Sequence, residues 1–286
     1  MRAGRVILVV LLLLSGGCKR SASPKGTILL IEAAARGDVN EVRSRLGRGE
    51  SINVTDAWHR TPLGVAVRYG NLELVELLLA HGANVNANCE APFNTALHIA
   101  VEQDMKPLAK LLLAHGAELD RKNKLGQTPA AVAMKAGHKR MIRLLVDHGA
   151  AMTLHVAAYL GETGAMEQLI KDGAKVDVKD AEKRTALEYA ALEGHARIVE
   201  LLLAGGANAN GASTGDTPLI NALWHRRPDV ALLLVNHGAW VEGKHSARLQ
   251  RPVPWRPVTE TSSSSSRPEV RISRFIWRRT REICES

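Results

Sequence analysis

Eleven histidines and three cysteines stand among 286 residues, enough in number for a metal centre or an acid–base pair. Their spacing argues against both. His98 and His155 occupy the fourth place of "TALH" and "MTLH". His81, His115, His148 and His237 each precede a glycine, and His138 and His195 each follow one. Eight of the eleven therefore have repeating addresses, each at least one repeat away from its counterpart. Layers of touching helices lie about 10 Å apart, too far for joint ligation at metal–nitrogen distances of about 2 Å. Structural roles are expected, with no metal and no cofactor. Cys18, Cys89 and Cys284 form no pair at ligand spacing and no dense disulfide framework. Cys89 falls in a stretch read as a loop and is expected to be a bystander thiol. The chain has no G-x-S-x-G, no H-E-x-x-H, no phosphate-binding glycine loop and no dinucleotide fingerprint. Its many carboxylates read as solvated outer helix faces. An enzyme is not expected.

The elements that position these residues recur. "HGAN" at His81, "HGAE" at His115, "HGAA" at His148, "DGAK" at Asp172, "GGAN" at Gly205 and "HGAW" at His237 keep one rhythm. Gly49, Gly82, Gly116, Gly149, Gly173, Gly206 and Gly238 are separated by 33, 34, 33, 24, 33 and 32 residues. A second landmark keeps pace with the first: "TPLGVAVRYG" from Thr61, "TALHIAVEQD" from Thr95, "TPAAVAMKAG" from Thr128, "MTLHVAAYLG" from Met152, "TALEYAALEG" from Thr185 and "TPLINALWHR" from Thr217. Thr caps a helix and Pro fits its first turn. A short Ala-rich helix follows and ends at Gly70, Gly137, Gly161 or Gly194. A second helix such as "NLELVELLLA" has apolar residues at i, i+3 and i+4. An exposed Asn- and Asp-rich turn completes the repeat. Aromatic residues at only 3% suit thin helices packed closely.

The period near 33, the T-P-L-H-x-A-A run and the L-L-x-x-G-A-x-x-N run resemble the ankyrin repeat family. The resemblance implies an all-α solenoid of about seven helix-turn-helix units with hairpin fingers. The units are placed at 28–55, 56–88, 89–121, 122–150, 151–179, 180–211 and 212–243, and the first serves as a cap. The 24-residue step removes nine residues between Gly149 and Met152. One finger is thereby deleted near 149–152, leaving a gap in the finger row while Leu144, Leu145, Leu154, Val156 and Ala157 keep their helical phase. This junction is expected to be the weakest, with units one to four unfolding apart from units five to seven. Elsewhere Asp104 replaces a helix-ending glycine and Pro107 enters a second helix.

The net charge of +9 sits at the ends. Residues 1–27 carry +5 and residues 244–286 carry +6, leaving −2 for 28–243. A nucleic-acid groove is therefore not expected on the folded part. Arg2 and Arg5, nine apolar residues from Val6 to Leu14, then Ser15-Gly16-Gly17 have the order of a secretory signal peptide. As a helix that apolar run spans about 14 Å, half of a bilayer core of about 30 Å. "LLLSGGC" resembles the lipobox of bacterial lipoproteins, with Cys18 as the lipidated residue, although Ser15 stands where that motif has a large aliphatic. Residues 1–17 are thus assigned to the signal, 18–27 to a linker and 244–286 to a basic tail whose Pro, Ser and Arg content predicts disorder.

The resemblance implies partner binding on a concave face made of finger tips and first-helix ends. The matching positions are Trp58, Arg60, Arg68, Tyr69, Glu102, Gln103, Lys124, Lys135, Tyr159, Leu160, Leu192, Glu193, Trp224 and His225. Trp, Tyr and Arg are common interface anchors. The chain is expected to be a non-enzymatic, exported, lipid-anchored scaffold for a protein partner. It is expected to be a monomer in the cell envelope that touches membrane through Cys18. The alternative is an inhibitor-like accessory subunit of an envelope enzyme.

Overall fold

The computed structural model describes residues 25–90, 93–211 and 216–240, with side chains from Leu29 onward except Glu90. The signal segment, Cys18 and the basic tail lie outside these residues. Fourteen helices occur among them, in seven pairs. The pairs are α1 (Lys25–Arg36) with α2 (Val39–Gly47), α3 (Pro62–Arg68) with α4 (Leu72–Ala80), and α5 (Ala96–Glu102) with α6 (Lys106–Ala114). They continue as α7 (Pro129–Ala136) with α8 (Lys139–Asp147), and α9 (Leu154–Leu160) with α10 (Thr163–Lys171). The last two are α11 (Ala186–Glu193) with α12 (Ala196–Ala204), and α13 (Pro218–Trp224) with α14 (Pro228–Asn236). The fold is all-α, with one short antiparallel ladder of β1 (Asn88–Glu90) on β2 (Asn94–Thr95) among the described residues. α1 begins at Lys25, inside the expected linker, directly after Pro24 in the sequence.

The Thr landmarks act as caps. Thr61, Thr128, Thr153 and Thr217 each accept the backbone N–H three residues on, at 3.0, 3.3, 3.3 and 3.3 Å. Thr185 uses the reciprocal arrangement, in which buried Glu188 accepts from its backbone N–H at 3.0 Å. Asp104 adopts the left-handed φ of 53° where five other repeats have glycine and the seventh has Arg226 at φ 56°, and Lys106 Nζ holds its carboxylate at 2.9 Å. Pro107 lies in the first turn of α6, where its missing N–H costs no bond.

The chain divides into two compact bodies, residues up to Ile99 and residues from Ala100. In the first, α1 packs on α3 and α2 on α4 around Leu30, Ile31, Leu74 and Leu78. In the second, α7 packs on α9, α9 on α11 and α11 on α13, while α10, α12 and α14 form the row behind. Its fully buried side chains include Leu112, Met141, Ile142, Leu145, Met166 and Leu187.

The short connection is where the sequence places it. Residues 148–153 join α8 to α9, whereas residues 172–185 join α10 to α11. Leu144, Leu145, Leu154, Val156 and Ala157 are all buried on either side. The expected gap in the finger row, however, does not form. The fingers on either side meet: Gln127 Nε2 donates to Glu182 Oε1, and a Cβ at Gly126 would lie 3.9 Å from that of Ala181. Without the intervening nine residues, nothing holds the two tips apart.

Candidate partner-binding surface

Three finger tips share one turn. Asp56, Asn123 and Asp180 each point one side-chain oxygen at the backbone N–H groups two and four residues on, at 2.9–3.0 Å. Each also donates its own N–H to the carbonyl four residues later. A short Asx-type turn results, with a left-handed residue at the fourth place: His59, Gly126 or Lys183. The third place is the displayed one, and it carries Trp58, Leu125 and Glu182.

In the first body, Trp58 is 57% exposed. The Arg60 guanidinium lies 4.8 Å from its ring centroid, while Arg60 Nε donates to Asp56 Oδ2 at 2.6 Å. One buried carboxylate thus fixes the turn, the arginine and, through it, the indole. His59 stacks at a tilt on Phe93, with centroids 5.5 Å apart. Tyr69, at the end of α3, is 59% exposed, and Arg68 is half-buried. Beneath this tip Cys89 is buried in β1, which corrects the expectation of a loop. Its Sγ accepts the Thr61 hydroxyl at 3.2 Å. Burial pushes the Cys89 thiol above its ordinary value, so thiolate, the reactive form, is disfavoured.

In the second body the expected positions divide. Glu102, Gln103, Lys124, Lys135 and His225 are exposed; Leu192, Glu193 and Trp224 are half-buried. Tyr159 and Leu160 are only 4% and 8% exposed, so these two do not face a partner. The reason is local. Every residue of α9 is buried, and the Tyr159 ring meets Tyr189 edge-on at 5.9 Å under Lys139 Nζ at 5.4 Å. Burial, and then the Glu193 charge, raise the Tyr159 phenol above its ordinary value. Tyr189 donates to Asp180 Oδ2 at 2.7 Å and is raised further, by burial first and that bond second. Leu125, 56% exposed, was missed. Aligning "DAWHR", "NKLGQ" and "DAEKR" would have found it in the slot of Trp58.

His155 and His138 fasten neighbouring repeats, and four other histidines bond within their own helices. His155 places Nε2 at 2.9 Å from Val178 O and 3.2 Å from Arg184 O, tying α9 to the next finger. His81, His115, His148 and His237 each turn Nδ1 to the carbonyl four residues back, at 2.8–2.9 Å. His138 Nε2 reaches Glu102 O at 3.1 Å. Its counterpart His195 lies against Gly161, where a Cβ would stand 2.7 Å from the ring. Burial lowers the His195 pKa below its ordinary value, against a backbone bond to Tyr159 that raises it. Among the described residues no group of three or more His, Cys, Asp or Glu could hold a metal ion.

A family model described as ankyrin repeats matches three times, over residues 2–89, 87–153 and 154–244. The putative ankyrin repeat protein YahD of Escherichia coli is 27% identical over 193 residues, 61% of this chain and 94% of that one. Human cyclin-dependent kinase inhibitor 2A is 34% identical over 116 residues, 41% of this chain and 74% of that one. The ankyrin repeat domain-containing protein SAT10 of Stachybotrys chartarum is 27% identical over 203 residues, 66% of this chain and 10% of that one. The chain thus spans about a tenth of SAT10. Paired helices with Thr and Pro caps, hairpin fingers on Asx turns and histidines bonded between repeats agree with the match across 2–244, and the chain belongs to the ankyrin-repeat family.

Proposed function

We propose that this chain is a non-enzymatic scaffold for a protein partner, gripped by finger tips and the exposed ends of first helices. The observation that carries it is the Trp58 tip with Tyr69. Large aromatic rings are exposed there in a chain with only 3% aromatic residues, and the Asp56–Arg60 pair holds the indole in place. A pre-ordered aromatic anchor loses little entropy on binding. Glu102, Gln103, Lys124, Leu125 and His225 supply exposed positions in the second body. The scaffold is exported and lipid-anchored at Cys18, a reading supported by Arg2, Arg5, the run Val6–Leu14 and the small residues before Cys18.

Affinity capture from the native envelope with the full chain tests both parts. One partner should be retained by the wild type and lost with Trp58→Ala plus Tyr69→Ala at unchanged helix content. Retention by the double variant overturns the surface. Cys18→Ser should move the protein from the membrane to the soluble envelope fraction. A wild type already soluble and beginning at another residue overturns the anchor. A second reading, an inhibitor-like accessory subunit of an envelope enzyme, draws on the similarity to a protein named as a kinase inhibitor. It requires the captured partner to be an enzyme whose turnover falls when the chain is added.

A further inference from the structure

We propose that repeats four and six close over repeat five as a salt-sensitive clamp, and that the missing finger is what allows them to meet. In a repeat array each unit contacts only its neighbours. Here two ionic contacts skip repeat five. On the finger side, Glu182 of the 172–185 finger accepts from Gln127 and pairs with Lys135 of α7 at 3.3 Å. Four residues after Lys135, Lys139 of α8 pairs with Glu193, the last residue of α11. The Lys139 ammonium also lies over the Tyr159 ring, a contact in which the cation holds the aromatic face. Both bridges join repeats four and six past repeat five, and α9 is buried from Leu154 to Leu160. By contrast, α3 ends with Arg68 half-buried and Tyr69 exposed.

Both bridges are ionic and partly solvated, with Lys135 58% and Lys139 45% exposed. Pairs of this kind are individually weak and are screened by salt. The clamp is therefore held by charge over an apolar helix and opens when the charges are screened or reversed. Opening returns Tyr159 and Leu160 to the row of first-helix ends. The clamp does not depend on the partner-binding reading, since it concerns contacts within the second body alone.

Hydroxyl-radical footprinting of the full chain, with Tyr159 read by mass spectrometry and exposed Tyr69 as internal control, tests the clamp. Tyr159 should be labelled slowly in the wild type. Glu182→Lys plus Glu193→Lys should speed its labelling several-fold, and adding Lys135→Glu plus Lys139→Glu should slow it again by restoring opposite charges. Unchanged Tyr159 labelling in a charge-reversed variant that keeps its helical circular dichroism overturns the clamp, as does failure of the charge swap to restore protection. If the reversed variant unfolds, salt titration of the wild type decides. Tyr159 labelling rising with salt at constant helix content supports the clamp, and flat labelling overturns it.

Discussion

At the scale of single residues, close approach decides more than charge. Gly64 sits in α3, and a Cβ there would stand 2.4 Å from Cys89 Cβ. Gly64→Ala should destabilise the chain by about 1–3 kcal/mol through overpacking, read as a lower urea midpoint at unchanged slope. His195 carries a pH dependence. Its folded pKa lies below the ordinary 6.5, so the unfolded chain takes up the proton first. Stability from this group is present above 6.5 and is lost as pH falls through the depressed folded value. The neighbouring Lys139 and Arg227 add to the depression and Glu193 opposes it. Urea midpoints measured downward from neutral pH should fall less steeply in His195→Asn than in the wild type. The repeating histidines were legible as structural in the sequence because their addresses recur. The burial of Tyr159 was not, because counting back from the helix-ending glycines Gly70 and Gly161 places it in the slot of Arg68, which is half-buried.

At the scale of elements, caps and connections set where helices begin. Thr153 caps α9 by accepting the Val156 N–H, and Ala151 N–H in the short connection donates to Asp120 Oδ1 at 3.4 Å. Thr153→Ala should cost about 1 kcal/mol, measured by chemical denaturation. Helix boundaries were readable from Thr, Pro and Gly because these residues act on their own few bonds. The finger-tip turn was half readable. The Asp or Asn that starts it is visible and the displayed slot can be aligned, but that its residue is exposed follows from the turn geometry shared by three tips.

At the scale of the whole molecule, the short connection was expected to be the weakest junction. The contacts across it change that expectation for the second body. Repeats four and six are bridged through Glu182 and Glu193, so loss of repeat four or six breaks both bridges together and exposes α9. Hydrogen exchange in urea should show α7, α9 and α11 losing protection in one step. A separate loss of α7 and α8 ahead of α9 would restore the two-step picture.

The sequence by itself determined the period, the helix pairs, their caps and the deleted finger. Each is written in residues a few positions apart, acting through local backbone bonds. Only the tertiary structure decided that the fingers on either side meet, that Cys89 is buried in a strand, and that α9 is enclosed. The first and last rest on pairs such as Gln127 with Glu182 and Lys139 with Glu193, more than fifty residues apart, and the second on Cys89 meeting Thr61 and Gly64. No local pattern records such a pair, because a chain that shortens one connection reveals what it removes and leaves unsaid which surfaces then come together.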